Sequence, residues 1–213
     1  MSSNTYGYIA DTGPTQAYGS NNGVFDPADI NDLIAENKWS GVGTLELIQT
    51  QSVSGVAQAD FTSLGSYNVH FLTLNNFTPT TDSRQINARL STDSGTSFIT
   101  SGYQFAIQNG YSDDTFSEIN STSYARMRIA GAVGNATNET GSGYIYFYNL
   151  LDSTKYSFVT SHFSYMHPNS TLGGGFTFGS QVLPTAAEHN AIRVYPQSGN
   201  MSATISLYGI RYS

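Results

Sequence analysis

The side chains that could do chemistry in this chain are few and scattered. The sequence has no cysteine and four histidines, which are His70, His162, His167 and His189. Only His162 and His167 are close in sequence, and a spacing of five puts them on opposite faces of a strand. Pro168 directly follows His167 and has no backbone N–H to donate to a sheet, which makes a strand through His167 doubtful. The histidines therefore predict no metal site, and we expect no other cofactor.

The acidic residues do not form a catalytic pattern either. Glycoside hydrolysis would suit an all-β protein, but it needs two carboxylates about 5 to 9 Å apart. The glutamates are isolated from one another: Glu46, Glu118, Glu139 and Glu188. The acidic turns at Asp93–Gly95 and Ser112–Thr115 lack the spacing of a calcium loop. A Ser-His-Asp arrangement stays open because serine is abundant, but no Gly-x-Ser-x-Gly motif occurs. We predict no catalytic residue and no enzymatic activity.

Aromatic residues are the most distinctive feature of the sequence. Tyrosine and phenylalanine number 15 and 12, and aromatic residues make up 13% of the chain. In YIYFYNL, Tyr144, Tyr146 and Tyr148 alternate with Ile145 and Phe147, so the two sets point to opposite faces of a strand. We expect the apolar pair to face the core. The tyrosines could then face a second layer of the same domain, another subunit or a carbohydrate, since tyrosine combines contact area with a polar tip.

The charge content excludes several classes of partner. The chain has 8 basic and 15 acidic residues, a net charge of −7, and 11% charged residues against about 25% in ordinary domains. Nucleic acids and anionic membrane surfaces both select basic patches, so neither is an expected partner.

No apolar run of about 18 residues and no signal peptide are evident. The absence of cysteine suits either a cytosolic protein or one that is assembled inside a cell and released later.

Residues 1–24 are rich in Gly, Ser, Asn and Tyr and show almost no periodicity, which predicts an extended N-terminal arm. A disordered terminus would be the simpler interpretation. The segment is nevertheless more apolar than a solvating tail requires, because it contains Tyr6, Tyr8, Ile9 and Tyr18. We therefore expect the arm to dock on its own domain or on a neighbouring subunit.

Residues 25–39 predict one short helix and a connector. Asp26 can cap the helix and Pro27 suits its first position. Ile30, Leu33 and Ile34 follow at helical spacing and form an apolar stripe, which predicts a helix that packs on a partner. Ile30 and Leu33 are accordingly candidate interface residues.

Residues 40–213 predict the main domain. Ten short runs of alternating apolar and polar residues, separated by turn signals, are typical of antiparallel sheets. An Asp-Ser-Gly turn at Asp93–Gly95 favours a hairpin, and the closing run ATISLYGIRYS should be a strand held in its sheet. We predict an all-β fold, an antiparallel β-sandwich of jelly-roll or concanavalin-like type.

Several segments resemble one known family. They are GVFDPADINDLIAENKW, LELIQTQSVSG, YNVHFLTLNNFTPTTDSRQINARLSTDSGT, SGYQFA, NETGSGYIYFYNL, KYSFVTSHFSY and ISLYGIRYS. In pattern and texture they resemble small β-sandwich virion proteins of tailed bacteriophages, particularly phages of marine and other aquatic bacteria. The resemblance covers most of the chain after residue 23 and supplies no functional residues.

The resemblance implies a non-enzymatic virion structural protein, assembled in the bacterial cytoplasm and displayed on the particle as capsid decoration or as part of a fibre. It would assemble through its arm and sheet edges with other virion proteins and with itself, as a homotrimer. A lectin-like protein of the tail that binds host surface glycans is the alternative. A polysaccharide depolymerase is a weaker one, because it needs an acidic pair in a cleft.

Overall fold

The computed structural model describes residues 27–35 and 45–210 of the chain. Helix α1 spans Pro27–Ala35, and the described residues after it form twelve strands. Their bounds are β1 Leu45–Val56, β2 Ala59–Phe61, β3 Val69–Pro79, β4 Ile86–Ser91, β5 Tyr103–Tyr111, β6 Phe116–Tyr124, β7 Met127–Arg128, β8 Gly141–Tyr148, β9 Ser157–Met166, β10 Gly174–Leu183, β11 Ala191–Pro196 and β12 Met201–Ile210.

The strands form an antiparallel β-sandwich, which confirms the predicted fold class. The large sheet has eight strands in the order β1-β12-β3-β8-β9-β10-β5-β6, and the small sheet has four in the order β2-β11-β4-β7. The last strand, β12, lies between β1 and β3, so both of its edges are paired. The expectation that the closing run is held within its sheet is therefore confirmed as far as Ile210, and residues 211–213 lie outside the described residues.

Alternation along each strand decides which side chains enter the core. In β9 every second residue is buried and the intervening ones are exposed. Val159 and Phe163 point inward from this strand, and Ile192 and Val194 of the small sheet meet the same core cluster. Burying a side chain of this size contributes about 1.5 to 3 kcal/mol, so the space between the sheets supplies most of the stability.

The sequence patterns missed two strands. Strand β2 has three residues, and β6 has the sequence FSEINSTSY, in which polar residues occupy most positions on both faces. A strand at the edge of a sheet can remain polar because one of its sides faces solvent. Since β6 pairs only with β5 among the described strands, its sequence carries almost no apolar alternation.

The turn at Asp93–Gly95 is present, but the hairpin expected from it is wrong. Strand β4 belongs to the small sheet and β5 to the large one, so this loop crosses between sheets. The loop is held by its own side chains: Ser91 Oγ and Ser97 Oγ each donate to the Asp93 carboxylate at 2.6 Å. These bonds, the one from Ser91 above all, lower the pKa of Asp93 to about 2.

Helix α1 begins at Pro27, as the sequence indicated, and belongs to a different compact unit from the strands. Ile30 and Leu33 are half-buried in it, and Ile34 is exposed. The arm residues Tyr6, Tyr8, Ile9 and Tyr18 lie outside the described residues, as does the connector after Ala35. Within the described ranges, no helix has the length and apolar character needed to cross a membrane.

Candidate interaction surface

Strand β8 places its two sets of residues as the alternation predicted. Ile145 and Phe147 are fully buried between the sheets. Tyr144, Tyr146 and Tyr148 point away from the core on the outer side of the large sheet, and Tyr144 is 40% exposed. The described residues therefore do not cover this tyrosine with a second layer.

Strand register brings further rings beside these tyrosines. Tyr146 lies opposite Phe71 of β3, and Phe71 lies opposite Tyr208 of β12. The ring centroids of Phe71 and Tyr146 are 4.7 Å apart, and those of Phe71 and Tyr208 are 6.2 Å apart. Ring pairs at such distances contribute about 0.5 to 1.5 kcal/mol beyond their buried area. Residues distant in sequence thus form one ring cluster.

A second group of rings extends the cluster toward β6. The Tyr144 ring contacts His162 of β9 at 5.8 Å, and His162 contacts Phe176 of β10 at 6.5 Å. Phe176 stacks on Phe178 at 5.9 Å and contacts Phe116 of β6 at 6.5 Å. We call the whole set the aromatic face: Phe71, Phe116, Tyr144, Tyr146, Tyr148, His162, Phe176, Phe178 and Tyr208.

Exposed aliphatic and aromatic residues border this face on its strands. Phe178 is 46% exposed, Leu47 of β1 is 60% exposed, and Leu45 and Phe158 are each about half exposed. On the outward strand positions of the large sheet, Glu118 is the one formal charge within the described part. Contiguous exposed apolar side chains can mark an interaction site, so the outer side of the large sheet is a candidate interaction surface.

The aromatic face contains a shallow groove of about 560 Å³. Tyr144, Tyr146 and Tyr148 line one side and Phe178 lines the other. Its floor is low because small side chains stand in one row across three strands: Thr160, Ser180 and Ala106. Tyr148 Oη lies 3.3 Å from Thr160 Oγ1, which places hydroxyl groups beside the rings. Ligand sites commonly have volumes of about 300 to 1,000 Å³.

Three of the four histidines have structural surroundings. His70 is buried, with Nε2 at 2.9 Å from the Leu64 carbonyl, and burial lowers its pKa. His189 is buried, with Nδ1 at 2.8 Å from Ser157 Oγ, and burial lowers its pKa as well. His167 follows the end of β9, and desolvation lowers its pKa too. Over residues 27–35 and 45–210, no three His, Asp or Glu side chains are grouped to hold a metal ion.

The glutamates are distributed over separate elements. Glu46 lies on β1, where Tyr67 Oη donates a hydrogen bond to it, and Glu118 lies on β6. Glu139 precedes β8 and accepts a hydrogen bond from the Ala136 N–H at 2.9 Å, and Glu188 lies in the loop before β11. The hydrogen bond assigns a structural role to Glu139, which holds the turn before β8.

The outer side of the small sheet has the opposite character. Arg193 of β11 lies directly between Asp60 of β2 and Arg89 of β4. Arg193 donates two hydrogen bonds to the Asp60 carboxylate, each at 2.7 Å, and its guanidinium lies 4.0 Å from the Phe98 ring centre.

A third arginine completes this region. Arg126 Nε donates to Asn87 Oδ1 at 3.0 Å. Burial raises the pKa of the Tyr195 phenol, and the charges of Arg89, Arg126 and Arg193 oppose that rise. One tyrosine is therefore within electrostatic reach of all three arginines, which we call the arginine face: Arg89, Arg126 and Arg193.

Sequence reasoning identified the tyrosines of β8 but missed their neighbours Phe71, His162, Phe176, Phe178 and Tyr208. The alternation of Phe176 and Phe178 in GGFTFGS was a signal of the same kind as YIYFY. The sequence pattern did not indicate that β10 lies two strands away from β8 in the same sheet. The arginine face was missed as well, because its members are far apart in the chain.

The fold and these two surfaces define an antiparallel β-sandwich with one aromatic and one cationic outer face. No protein-family model, no curated protein and no solved structure matches the chain.

Proposed function

We propose that the chain is a non-enzymatic structural protein of a tailed-bacteriophage virion, displayed on the particle and assembled with copies of itself. The single observation that supports an assembly role is the aromatic face, which is wide, exposed and nearly free of charge. The virion assignment rests on the resemblance of the sequence segments quoted above. The proposal also includes assembly through the arm and the sheet edges and contacts with other virion proteins.

The size of the aromatic face fits a protein partner. The eight strands of the large sheet are eight to twelve residues long. At a spacing of about 4.8 Å and a rise of about 3.3 Å per residue, the outer side of this sheet spans roughly 1,000 Å². A standard stable interface buries about 800 Å² on each partner. The face is therefore large enough for one specific interface between two copies.

The composition of the face fits a protein partner too. Interface cores are enriched in aromatic residues and depleted of charge, and tyrosine is common among the residues that dominate binding energy. The face follows this pattern with nine rings and one outward carboxylate, Glu118. Few charges are present for salt to screen, so association through this face should persist at high ionic strength.

The test is the variant Tyr144→Lys combined with Phe178→Lys. Both side chains point into solvent, so the sandwich should fold, while two buried ammonium groups should weaken self-association by about a hundredfold or more. Sedimentation velocity over a concentration series measures this and gives the number of subunits, three if the proposed trimer forms. Tyr156→Lys, at an exposed tyrosine outside the strands, is the matched control. A wild-type chain that stays monomeric at high concentration would contradict the proposal.

Location on the particle requires a separate measurement. Quantitative gel densitometry of purified virions gives the copy number, and hundreds of copies would indicate the capsid, whereas a few dozen or fewer would indicate the tail. Deletion of residues 1–24 should reduce incorporation if the arm tethers the protein. Normal incorporation of the truncated chain would remove the tether from the proposal, and absence of the chain from virions would overturn it.

A second candidate function is binding of a neutral glycan, which the groove favours specifically. Aromatic rings on both sides and hydroxyl groups on the floor provide stacking surfaces and hydrogen-bond partners for a sugar. Titration with neutral oligosaccharides, followed by NMR shifts of the groove residues, tests it. Tyr148→Ala should weaken binding and Tyr156→Ala should not. Self-association without any glycan response would leave assembly as the only function of this face.

A further inference from the structure

The arginine face carries more positive charge than its surroundings neutralise. Arg89 and Arg193 lie directly opposite each other on neighbouring strands, an arrangement that is destabilising for like charges. In the described part of the chain, Asp60 is the one carboxylate bonded to these arginines, and it is bonded to Arg193. Three guanidinium groups against one carboxylate leave a local charge of +2, although the chain as a whole is at −7.

The arginines are held in place rather than extended into solvent. Arg89 Nε donates to the Ala125 carbonyl at 3.1 Å, and its guanidinium lies 5.2 Å from the Tyr195 ring centre. Arg126 lies over the Tyr124 ring at 5.1 Å and is fixed by its bond to Asn87. All three side chains are half-buried. A guanidinium cannot lose its proton in a protein, so a partly desolvated cluster of this kind is stabilised by an anionic partner.

Residues 26–36 hold more carboxylates than any other stretch of eleven residues in the sequence. This stretch, DPADINDLIAE, holds Asp26, Asp29, Asp32 and Glu36 and has no lysine or arginine. Helix α1 occupies its centre, Asp32 is exposed on it, and no basic residue lies in its last turn. The charge of this segment is therefore complementary to that of the arginine face.

We propose that the arginine face binds the acidic segment 26–36 of a second copy of this chain. Carboxylates pair with guanidinium groups through short, charge-assisted hydrogen bonds, often two at a time, and Asp60 already shows this geometry on Arg193. The inference rests on the proposed self-assembly but uses a different surface. It assigns the attachment of the N-terminal region to the small sheet of a neighbour and leaves the aromatic face for a separate contact.

The two contacts differ in their response to salt. Raising the ionic strength from about 0.1 M to about 1 M shortens the Debye length from about 10 Å to about 3 Å. The arginine contact should weaken under these conditions, whereas the contact through the aromatic face should not.

A charge-swap experiment on the full chain tests the proposal. One variant carries Arg89→Glu and Arg126→Glu, and the other carries Asp29→Lys and Asp32→Lys. Each variant alone should self-associate about tenfold more weakly than the wild type at low salt. An equimolar mixture should recover association, because each reversed surface meets its complement on the other variant. Sedimentation velocity with one variant labelled measures both results.

Matched controls separate a specific contact from a change in net charge. Lys155→Glu and Glu188→Lys change exposed charges outside both surfaces and should leave association unchanged. Circular dichroism and thermal unfolding establish that each variant folds. If the arginine variant does not fold, Arg89→Gln with Arg126→Gln replaces it. The Asp29→Lys and Asp32→Lys variant and the salt series then determine whether the contact exists.

Several results would overturn the inference. A mixture that recovers no association would show that the acidic segment does not bind another copy. Loss of association in the arginine variant but not in the Asp29 and Asp32 variant would indicate a different anion. Charge variants that act like their controls, with association lost only in the Tyr144 and Phe178 variant, would remove this contact and leave the proposed function standing.

Discussion

The two outer faces of the sandwich differ in how far their side chains are bonded within the domain. On the large sheet, rings point outward with few hydrogen-bond partners and one formal charge near them. On the small sheet, Arg193 and Arg126 hydrogen-bond to Asp60 and Asn87 within the domain, and Arg193 stacks on Phe98. Internally satisfied groups contribute to folding, whereas the apolar surface that the rings leave exposed contributes hydrophobic free energy only when another molecule covers it. Changes on the aromatic face should therefore alter association, and changes on the arginine face should also alter stability.

The largest effect on folding should come from the inner side of β8, next to the aromatic face. Phe147→Ala removes a fully buried ring and should lower the free energy of unfolding by about 3 to 5 kcal/mol. Tyr148→Ala changes the adjacent residue on the outward side and should cost about 1 kcal/mol or less. Urea unfolding of both variants measures the difference. Equal losses would mean that the outer rings stabilise the fold, which would break the distinction between the faces.

The next effect should come from the arginine face. Asp60→Asn removes the carboxylate from Arg193 and leaves two opposed guanidinium groups without a counter-charge, so we expect a loss of about 2 kcal/mol. Lys155→Met is the matched control, because it breaks the exposed pair of Lys155 and Asp152 at 3.0 Å and should cost about 0.5 kcal/mol or less. Chemical unfolding at neutral pH compares the two. A loss no larger than that of the control would mean that the arginine face, like the aromatic face, does not stabilise the domain.

The smallest effect should be a pH dependence of stability that originates in two buried histidines, His70 and His189. Burial lowers the pKa of His70 and His189 below the ordinary value of 6.5, so the unfolded chain binds protons that the folded chain does not. Stability should be complete above about pH 6.5, the pKa of an unfolded histidine, and should decrease as the pH falls below that value.

Unfolding in urea across this pH range measures the effect. Asp93 and Asp152 do not interfere, because hydrogen bonds from Ser91 and Thr154 respectively hold the pKa of each near 2. His189→Asn should flatten the profile in part, since one of the two buried imidazoles is gone. A wild-type profile without slope between about pH 5 and pH 6.5 would show that neither imidazole resists protonation in the folded state.

Much of the local structure followed from the sequence because it depends on near neighbours in the chain. The alternation of Ile145 and Phe147 with tyrosines determined which side of β8 would be buried, and Pro27 marked the start of α1. Strand β6 was missed because an edge strand can be polar on both sides. The loop at Asp93 was misassigned because a turn signal does not encode whether the next strand pairs with the previous one or joins the other sheet.

By itself, the sequence determined the all-β class, the inward and outward sets of several strands and the low charge of the surface, since each is a property of composition or of a period of two residues. Tertiary structure alone decided that Phe71 stands between Tyr146 and Tyr208, that β10 brings Phe178 across from Tyr144, and that Arg193 meets Arg89. These contacts join residues up to about 140 positions apart, as with Phe71 and Tyr208. Strand order and register, which arise from packing the whole core at once, therefore created both the aromatic face and the arginine face.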